Sequence, residues 1–358
     1  NQLVANKRYL TEEELIELVA LCSVLPGPTS TQTLVALGHK MGGPVLALLT
    51  MLVWSLPALV TMTLLSFVYQ ALAAAKLPTD GLRYIGPMAV GFIVVAAIQI
   101  NRKVVKDALT GILMISAAAL TYLVHSAWVF PLVLLTGGVI SIVLSKEQNL
   151  WNPVKVNPPW GYLIAFAGFA LGGIGLTLLF DAKLLALFES FYRYGYLVFG
   201  GGQVVVPLMY SELVDIGSYM THGEFLTGYG LVQGLPGPMF SFSAYAGGMA
   251  YREAGPALQI VAAAIGGIGI FLPGLLLIFF VYPVWENLKQ IKAIKVSLKG
   301  INAVAGGMIA VAAVILMQRS GFTLNNLAVT GASILLLATK KVPAPLLVLL
   351  TLALGFLT

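Results

Sequence analysis

Charged side chains are scarce in this sequence. Asp, Glu, Lys and Arg make up 9% of its 358 residues, whereas hydrophobic residues make up 59%, and the mean hydropathy is +0.93. A soluble domain carries charge on about a quarter of its positions. Because so few charges cannot cover a surface in contact with water, most of the exterior must face lipid.

Cysteine and histidine are nearly absent as well. Cys22 is the single cysteine, which excludes a disulfide framework and a thiolate metal cluster. The three histidines are dispersed and no His-Glu-x-x-His motif occurs, so an intramembrane enzyme is only a remote alternative. We expect neither a cofactor nor a metal ion. The net charge of +6 comes from basic residues in short loops, a distribution that does not point to nucleic acid.

Apolar runs that could cross a bilayer recur along the whole chain. A helix needs about 20 apolar residues to span about 30 Å of hydrocarbon. The predicted spans are 44–75, 82–101, 108–125, 127–145, 159–181, 255–284, 296–317, 323–340 and 343–357. Glycine and proline interrupt the regions 9–43 and 188–252. The pattern predicts an all-α polytopic membrane protein with broken or re-entrant half-helices.

The chain contains an internal repeat. Segments of the first half recur in the same order about 210 positions later, which indicates a duplication. The matching segments are Tyr9-Leu10-Thr11 with Tyr219-Met220-Thr221, Glu14 with Glu224, Leu21 with Leu231, Leu25-Pro26-Gly27-Pro28 with Leu235-Pro236-Gly237-Pro238, Leu56-Pro57 with Leu272-Pro273, and Leu82-Arg83 with Leu298-Lys299. We predict a first repeat at 1–146, a linker with an unpaired span at 147–182, and a second repeat at 183–358.

The two repeats are predicted to be inverted relative to each other in the membrane. One set of loops holds most of the lysines and arginines. These loops are 101–107, 146–158, 285–299 and 340–342. The positive-inside rule makes their side cytoplasmic. The equivalent loops 76–83 and 285–299 then face opposite ways, as inverted repeats require, and the span at 159–181 turns the second repeat over.

Each repeat contains a Pro-Gly-Pro motif that predicts a broken helix. The motifs are Pro26-Gly27-Pro28 and Pro236-Gly237-Pro238, and each lies between two apolar stretches that are too short to span alone. Proline ends the first helix, glycine permits a sharp reversal, and the second proline suits the first turn of the next helix. Unpaired backbone N–H groups and the positive end of a helix dipole at such a break suit an anion.

Candidate donors to an anion lie around both breaks. The predicted substrate-binding residues are Pro26, Gly27, Pro28, Thr29, Ser30, Thr31, Gln32, Gly200, Gly201, Gly202, Gln203, Gln233, Pro236, Gly237, Pro238, Ser241 and Ser243. The alternative is a pair of kinked helices whose hydroxyls bond their own backbone and whose glycines only pack helices together. Two equivalent breaks in an inverted repeat favour the binding site.

Two acidic residues occupy equivalent positions near the breaks. Glu14 and Glu224 stand at the start of the first broken helix of each repeat. A carboxylate there either complements the helix dipole or couples proton movement to transport, and both readings stay open. Lys40 and Arg252 close the second broken helices, as solvated helix ends or as cations that attract anions to a vestibule.

The sequence resembles the chromate ion transporter family over nearly its whole length. The resemblance rests on the segments 199–208, 224–238 and 14–32. It implies a two-domain transporter of a bacterial-type inner membrane that carries chromate, with sulfate as an analogue, by alternating access around a site between the two breaks. The implied partners are the oxyanion and the lipid bilayer, with a homodimer left open. The alternatives are an oxyanion channel and a sulfate-type anion exchanger, because helix-dipole sites serve all three.

In one respect the sequence departs from that family. The first half normally opens with a glycine-rich segment equivalent to Gly200–Gly202. The repeat offset places this segment before Asn1. We therefore expect the first half of the site to be incomplete in this chain.

Overall fold

All regular secondary structure that the structure describes is helical. The computed structural model describes residues 10–75, 79–124, 126, 128–151, 154–199 and 202–357. The α-helices in these ranges are α1 (Glu12–Val24), α2 (Thr29–Ala74), α3 (Ile85–Val104), α4 (Ala108–Leu123), α5 (Val129–Val143), α6 (Trp160–Leu179), α7 (Lys183–Tyr196), α8 (Val206–Tyr210), α9 (His222–Val232), α10 (Phe242–Ala250), α11 (Pro256–Val281), α12 (Trp285–Leu288), α13 (Lys292–Ser320), α14 (Leu324–Thr339) and α15 (Ala344–Leu357). The predicted class, an all-α polytopic membrane protein, is confirmed.

Five segments are long and apolar enough to cross a bilayer, judged by length and composition. They are Thr29–Ala73, Ile85–Val104, Trp160–Leu179, Pro256–Leu288 and Lys292–Ser320. The helices α4, α5, α14 and α15 are apolar but shorter. At about 1.5 Å per residue they reach about 21–24 Å, so local thinning of the bilayer or the flanking residues must make up the difference.

The two regions that were predicted to be irregular contain short helices. Region 9–43 forms α1 and the first part of α2, whose helical backbone is interrupted at Gly42 and Gly43. Region 188–252 begins inside α7, whose buried face includes Leu187, Phe191 and Tyr194. A search for apolar runs does not find α7, because this helix is amphipathic and carries polar residues on its other face.

The broken helices of the two halves begin in the same way. Thr11 and Glu14 form a capping box, in which the Thr11 N–H donates to the Glu14 carboxylate at 2.9 Å and the Glu14 N–H donates to the Thr11 hydroxyl at 3.2 Å. Thr221 and Glu224 form the second capping box, at 2.7 and 3.2 Å. Each box satisfies two N–H groups that would otherwise lack a partner at the helix start.

The second broken helices of the two halves also end in the same way. Gly43 has φ 71° and precedes Pro44, and Gly255 has φ 95° and precedes Pro256. A side chain is strained at such φ values, so glycine permits the turn and proline starts the long helix that follows. Each half thus contains two short helices around a break, followed by a long span.

The helix α13 lies at the centre of the packing. It packs against α3, α4 and α5, while α11 packs against α2, α7 and α10. Gly300 of α13 lies against the backbone of Gly137 in α5, and Gly307 lies against the backbone of Met114 in α4. Such small residues allow helices in a membrane to approach closely.

The start and the end of α13 mark two opposite ends of the helical body. At its start, Lys299 forms an ion pair with Asp107 at 2.5 Å, and the backbone of Ala293 bonds Leu150 of the linker. At its end, Arg319 pairs with Asp215 at 3.5 Å. Three of the loops that were predicted to be strongly basic, 101–107, 146–158 and 285–299, meet at the first of these ends.

Candidate functional site

The first Pro-Gly-Pro motif separates α1 from α2. The helix α1 ends at Val24, and α2 begins at Thr29 after an extended Pro28. Gly27 has φ 130°, and a Cβ added to it would lie 2.5 Å from Nε2 of Gln32. The Gln32 amide donates to the carbonyl of Pro26 at 2.7 Å, so this side chain closes the turn that the glycine makes.

The second Pro-Gly-Pro motif separates α9 from α10. The helix α9 ends at Val232, and a 3₁₀ turn at Met239–Ser241 leads into α10. Gly237 has φ 140°, and a Cβ added to it would lie 2.7 Å from Cβ of Ala58 in α2. The turn of the second half therefore lies directly against a long span of the first half.

The described residues on either side of Gly200 and Gly201 lie beside the two breaks. The Gly27 N–H donates to the carbonyl of Val198 at 2.8 Å. A Cβ added to Gly202 would lie 2.8 Å from the side chain of Met239, at the start of the second broken helix. Gly200 and Gly201 lie outside the described residues. The residues on either side of them join the first break to the second.

Two long spans contact the breaks in a crosswise manner. Trp54 of α2 donates its indole N–H to the Thr31 hydroxyl at 3.3 Å, and its carbonyl oxygen lies 3.9 Å from a Cβ added to Gly237. A Cβ added to Gly274 of α11 would lie 3.3 Å from Nε2 of Gln32. Each span therefore contacts the break of the other half, next to its own helical proline.

Four buried polar groups near the breaks have no hydrogen-bond partner among the described residues. They are the hydroxyls of Ser241, Ser243 and Tyr229 and the Oε1 atom of Gln32, and these side chains are at most 2% exposed. Leaving a buried donor or acceptor unpaired costs about 1–3 kcal/mol. A native structure keeps such groups only where a ligand, water or strain explains them.

The other predicted site residues differ in burial. Pro28 and Thr31 are buried. Pro26, Thr29, Gly202, Gln203 and Gln233 are half-buried. Ser30 and Pro236 are exposed. The contacts thus join Thr31 and Gln32 of the first break to the two long spans, and Gly202 to the start of the second broken helix.

The two equivalent glutamates lie at the far ends of α1 and α9, away from the breaks. Glu14 pairs with Lys40 at 2.5 Å, and Glu224 pairs with Arg252 at 3.5 Å. Glu14 lies outside the spanning helices, and the hydrogen bond from Lys40 lowers the pKa of its carboxyl group. Each of the two glutamates thus forms an ion pair with one cation. Lys40 and Arg252, the cations predicted to attract anions to a vestibule, are both paired in this way.

Sequence reasoning missed a buried group of charges. Arg193 of α7 contacts two carboxylates, those of Glu189 and Glu212, at 2.8 and 2.5 Å. The i, i+4 spacing of Glu189 and Arg193 was visible in the sequence. Nothing local signals Glu212, because it comes from a π-helical turn at Ser211–Ile216 that folds back against α7. Elsewhere in the described ranges, no three His, Cys, Asp or Glu residues are grouped as metal ligands.

The chain is similar to proteins named as chromate transporters. The chromate transporter family model matches residues 1–142 and 185–356. The chromate transport protein of Cupriavidus metallidurans is 26% identical, over 97% of this chain and 83% of that protein. The chromate transport protein of Pseudomonas aeruginosa is 26% identical, over 93% and 78%. The probable chromate transport protein of Synechococcus elongatus is 25% identical, over 97% and 86%.

No solved structure matches the chain. The family match covers most of both halves and confirms the resemblance that the motifs carried. The chain belongs to the chromate transporter family, a family of multi-pass membrane transporters and not of enzymes.

Proposed function

We propose that this protein is a secondary transporter that carries chromate across a bacterial-type inner membrane by alternating access. Sulfate, a tetrahedral dianion of similar shape, is the expected analogue. Membership of the chromate transporter family and the names of the relatives support the substrate. The site proposed for the oxyanion lies between the two Pro-Gly-Pro breaks.

The pair of unpartnered serine hydroxyls at the start of α10 is the observation that carries this proposal. Ser241 and Ser243 are fully buried and have no partner among the described residues. A dianion can enter a low-dielectric interior only where dipoles and hydrogen bonds replace its water. Helix starts and neutral hydroxyls meet that need. Unlike a lysine or arginine, they also leave the anion free to dissociate.

The positions of the two equivalent Glu–cation pairs, Glu14–Lys40 and Glu224–Arg252, support inverted repeats. The Glu14–Lys40 pair lines a cavity of about 340 Å³ with Glu286, which belongs to the basic loop 285–299. The Arg252 side chain lines a cavity of about 550 Å³ with Lys183. The equivalent Glu–cation pairs would thus lie at opposite faces of the membrane, so that each face has its own approach to the breaks.

Substitution of Ser241 tests the site. A hydrogen bond to a charged ligand contributes about 1.5–3 kcal/mol, so Ser241→Ala should weaken chromate binding about ten- to a hundredfold. The matched control is Ser333→Ala, because Ser333 of α14 is also buried and unpartnered but lies away from the breaks. Binding is measured by calorimetry on purified, folded protein. Unchanged affinity in Ser241→Ala removes this hydroxyl from the site.

Transport assays separate a carrier from a channel. In proteoliposomes, a carrier shows saturable uptake of labelled chromate and counterflow against unlabelled chromate. A channel shows neither, so linear uptake without counterflow would contradict alternating access. The same assay with sulfate measures how far the site accepts the analogue.

A further inference from the structure

A charged cluster lies inside the helical body, apart from the breaks. The cluster consists of Glu189, Arg193 and Glu212 and is called the Glu–Arg–Glu triad below. The Arg193 guanidinium donates to Glu189 at 2.8 and 3.0 Å and to Glu212 at 2.5 and 3.0 Å. The three side chains are only 11–15% exposed. The triad therefore joins α7 to the π-helical turn through two bidentate ion pairs.

The triad has one carboxylate more than it has cations. When both glutamates are ionised, its charge is −1, and no further Lys or Arg forms an ion pair with it among the described residues. The Tyr194 hydroxyl donates to Glu212 at 2.8 Å, and Tyr196 and Tyr219 lie within electrostatic range. The spans α6 and α11, which pack on α7, bring no acid or base except Tyr162.

The other carboxylates in this part of the molecule are either exposed or paired. Asp181 and Glu253, which line the cavity of about 550 Å³, are exposed. Asp215, on the same π-helical turn, pairs with Arg319 at 3.5 Å. Glu14 and Glu224 each have one cation of their own. A net charge inside a membrane protein is costly and is most cheaply removed by binding a proton or a cation. Glu189, Glu212 and Glu224 have side chains only 11–13% exposed, and Glu224 has Arg252 to itself, whereas the two carboxylates of the triad share one arginine.

The position of the triad links it to both water and the breaks. Tyr219, which follows the π-helical turn, lines the cavity of about 550 Å³ together with Ala186 of α7. At its other end α7 leads directly into Val198, whose carbonyl accepts the N–H of Gly27 in the first break. A change in the contact between α7 and the turn can therefore reach the first break through one helix.

We propose that the Glu–Arg–Glu triad is the proton-binding site that couples transport to a pH gradient. This inference rests on the proposed transport function. A proton from water in the cavity bonds to a carboxylate oxygen of the triad, and the triad goes from charge −1 to neutral. The protonated carboxyl loses its ionic attraction to Arg193, which loosens α7 from the π-helical turn. Because the two glutamates share one guanidinium, the proton belongs to the pair and not to one residue.

The first test needs no substrate. Wild-type protein in lipid nanodiscs is compared by infrared difference spectroscopy between alkaline and acidic buffer. We expect the carbonyl band of a buried carboxylic acid in the wild type, and its loss in Glu212→Gln and in Glu189→Gln. Glu147→Gln, at an exposed position of the linker, should keep the band. A wild-type spectrum without that band, or a band that persists in both triad variants, overturns the proposal.

The second test measures coupling in proteoliposomes with a pH-sensitive dye inside. Addition of chromate, or of sulfate as a dianion that does not itself titrate here, should move protons with the wild type and with Glu147→Gln. Glu212→Gln should lose this pH change and keep chromate–chromate exchange. Exchange without any pH change in the wild type overturns the coupling and leaves the transport function intact. A triad band in the infrared without any chromate transport overturns the transport function and not the proton site.

Discussion

Gly237 holds the turn of the second break in a conformation that a side chain would strain. Its φ is 140°, and a Cβ would lie 2.7 Å from Ala58. We expect Gly237→Ala to lower the free energy of unfolding by about 1–3 kcal/mol and to reduce chromate transport. The control is Gly172→Ala in α6, where a Cβ meets open space and should raise stability by about 0.5–1 kcal/mol. Thermal unfolding in detergent measures both, and equal midpoints would contradict the role of Gly237.

Individual residues of the candidate site were only partly predictable from the sequence. The need for glycine at positions 27 and 237 followed from the Pro-Gly-Pro motifs, because two prolines around one glycine in a short apolar stretch favour a sharp turn between two helices. The closing hydrogen bond of Gln32 and the contact of Trp54 with Thr31 did not follow. These contacts depend on how distant helices pack, and no local pattern encodes that.

At the scale of helices, the capping boxes at Glu14 and Glu224 favour a structural role for these acids over proton coupling. Glu224→Gln keeps an acceptor for the Thr221 N–H but loses the ion pair with Arg252. Glu224→Ala loses both and should cost about 1 kcal/mol of stability. We expect a lower folded yield in Glu224→Ala, a smaller decrease in Glu224→Gln, and unchanged pH-gradient-driven transport per folded molecule in both.

The measurement for these variants is chromate uptake driven by an imposed pH gradient, divided by the amount of folded protein. Size-exclusion chromatography gives that amount. If Glu224→Gln abolishes driven uptake and keeps anion exchange, Glu224 is itself the coupling carboxylate. That outcome would move the proton site from the triad to the start of α9.

Helices were predicted from the sequence with unequal success. The long apolar spans coincide with the observed helices because about 20 residues without charge have few other options in a membrane. The helix α7 was missed because it is short and amphipathic. The π-helical turn at Ser211–Ile216 was missed because its contacts, and not its composition, determine it. The Glu–Arg–Glu triad was missed as well, because its residues lie on these two elements.

For the whole molecule, inversion of the repeats predicts opposite exposure of equivalent loops. A cysteine at Arg83 and a cysteine at Lys292 should react with a membrane-impermeant maleimide from opposite faces of the membrane. The native Cys22 is fully buried, so the wild-type chain should give a low background. Labelling is measured on intact cells and on inside-out vesicles. Reaction of both positions from the same face would contradict the inverted arrangement.

The overall organisation was more predictable than the chemistry. The repeat and the basic loops were visible because duplication leaves a linear trace in the sequence, and because positive charge is retained on one side of a membrane. The contacts of Val198 and Gly202 with the two breaks were not visible. The Gly27–Val198 contact joins residues of different halves, and only the folded chain brings them together.

The crosswise contact of α2 with the second break limits how the two halves can diverge in evolution. Ala58 faces Gly237 across the boundary between the halves. A larger side chain at position 58 would clash with the turn at Gly237, which belongs to the other repeat. Selection on this pair therefore acts jointly, and neither half of the duplicated gene is free to drift alone. After the duplication, each copy became part of the folding environment of the other.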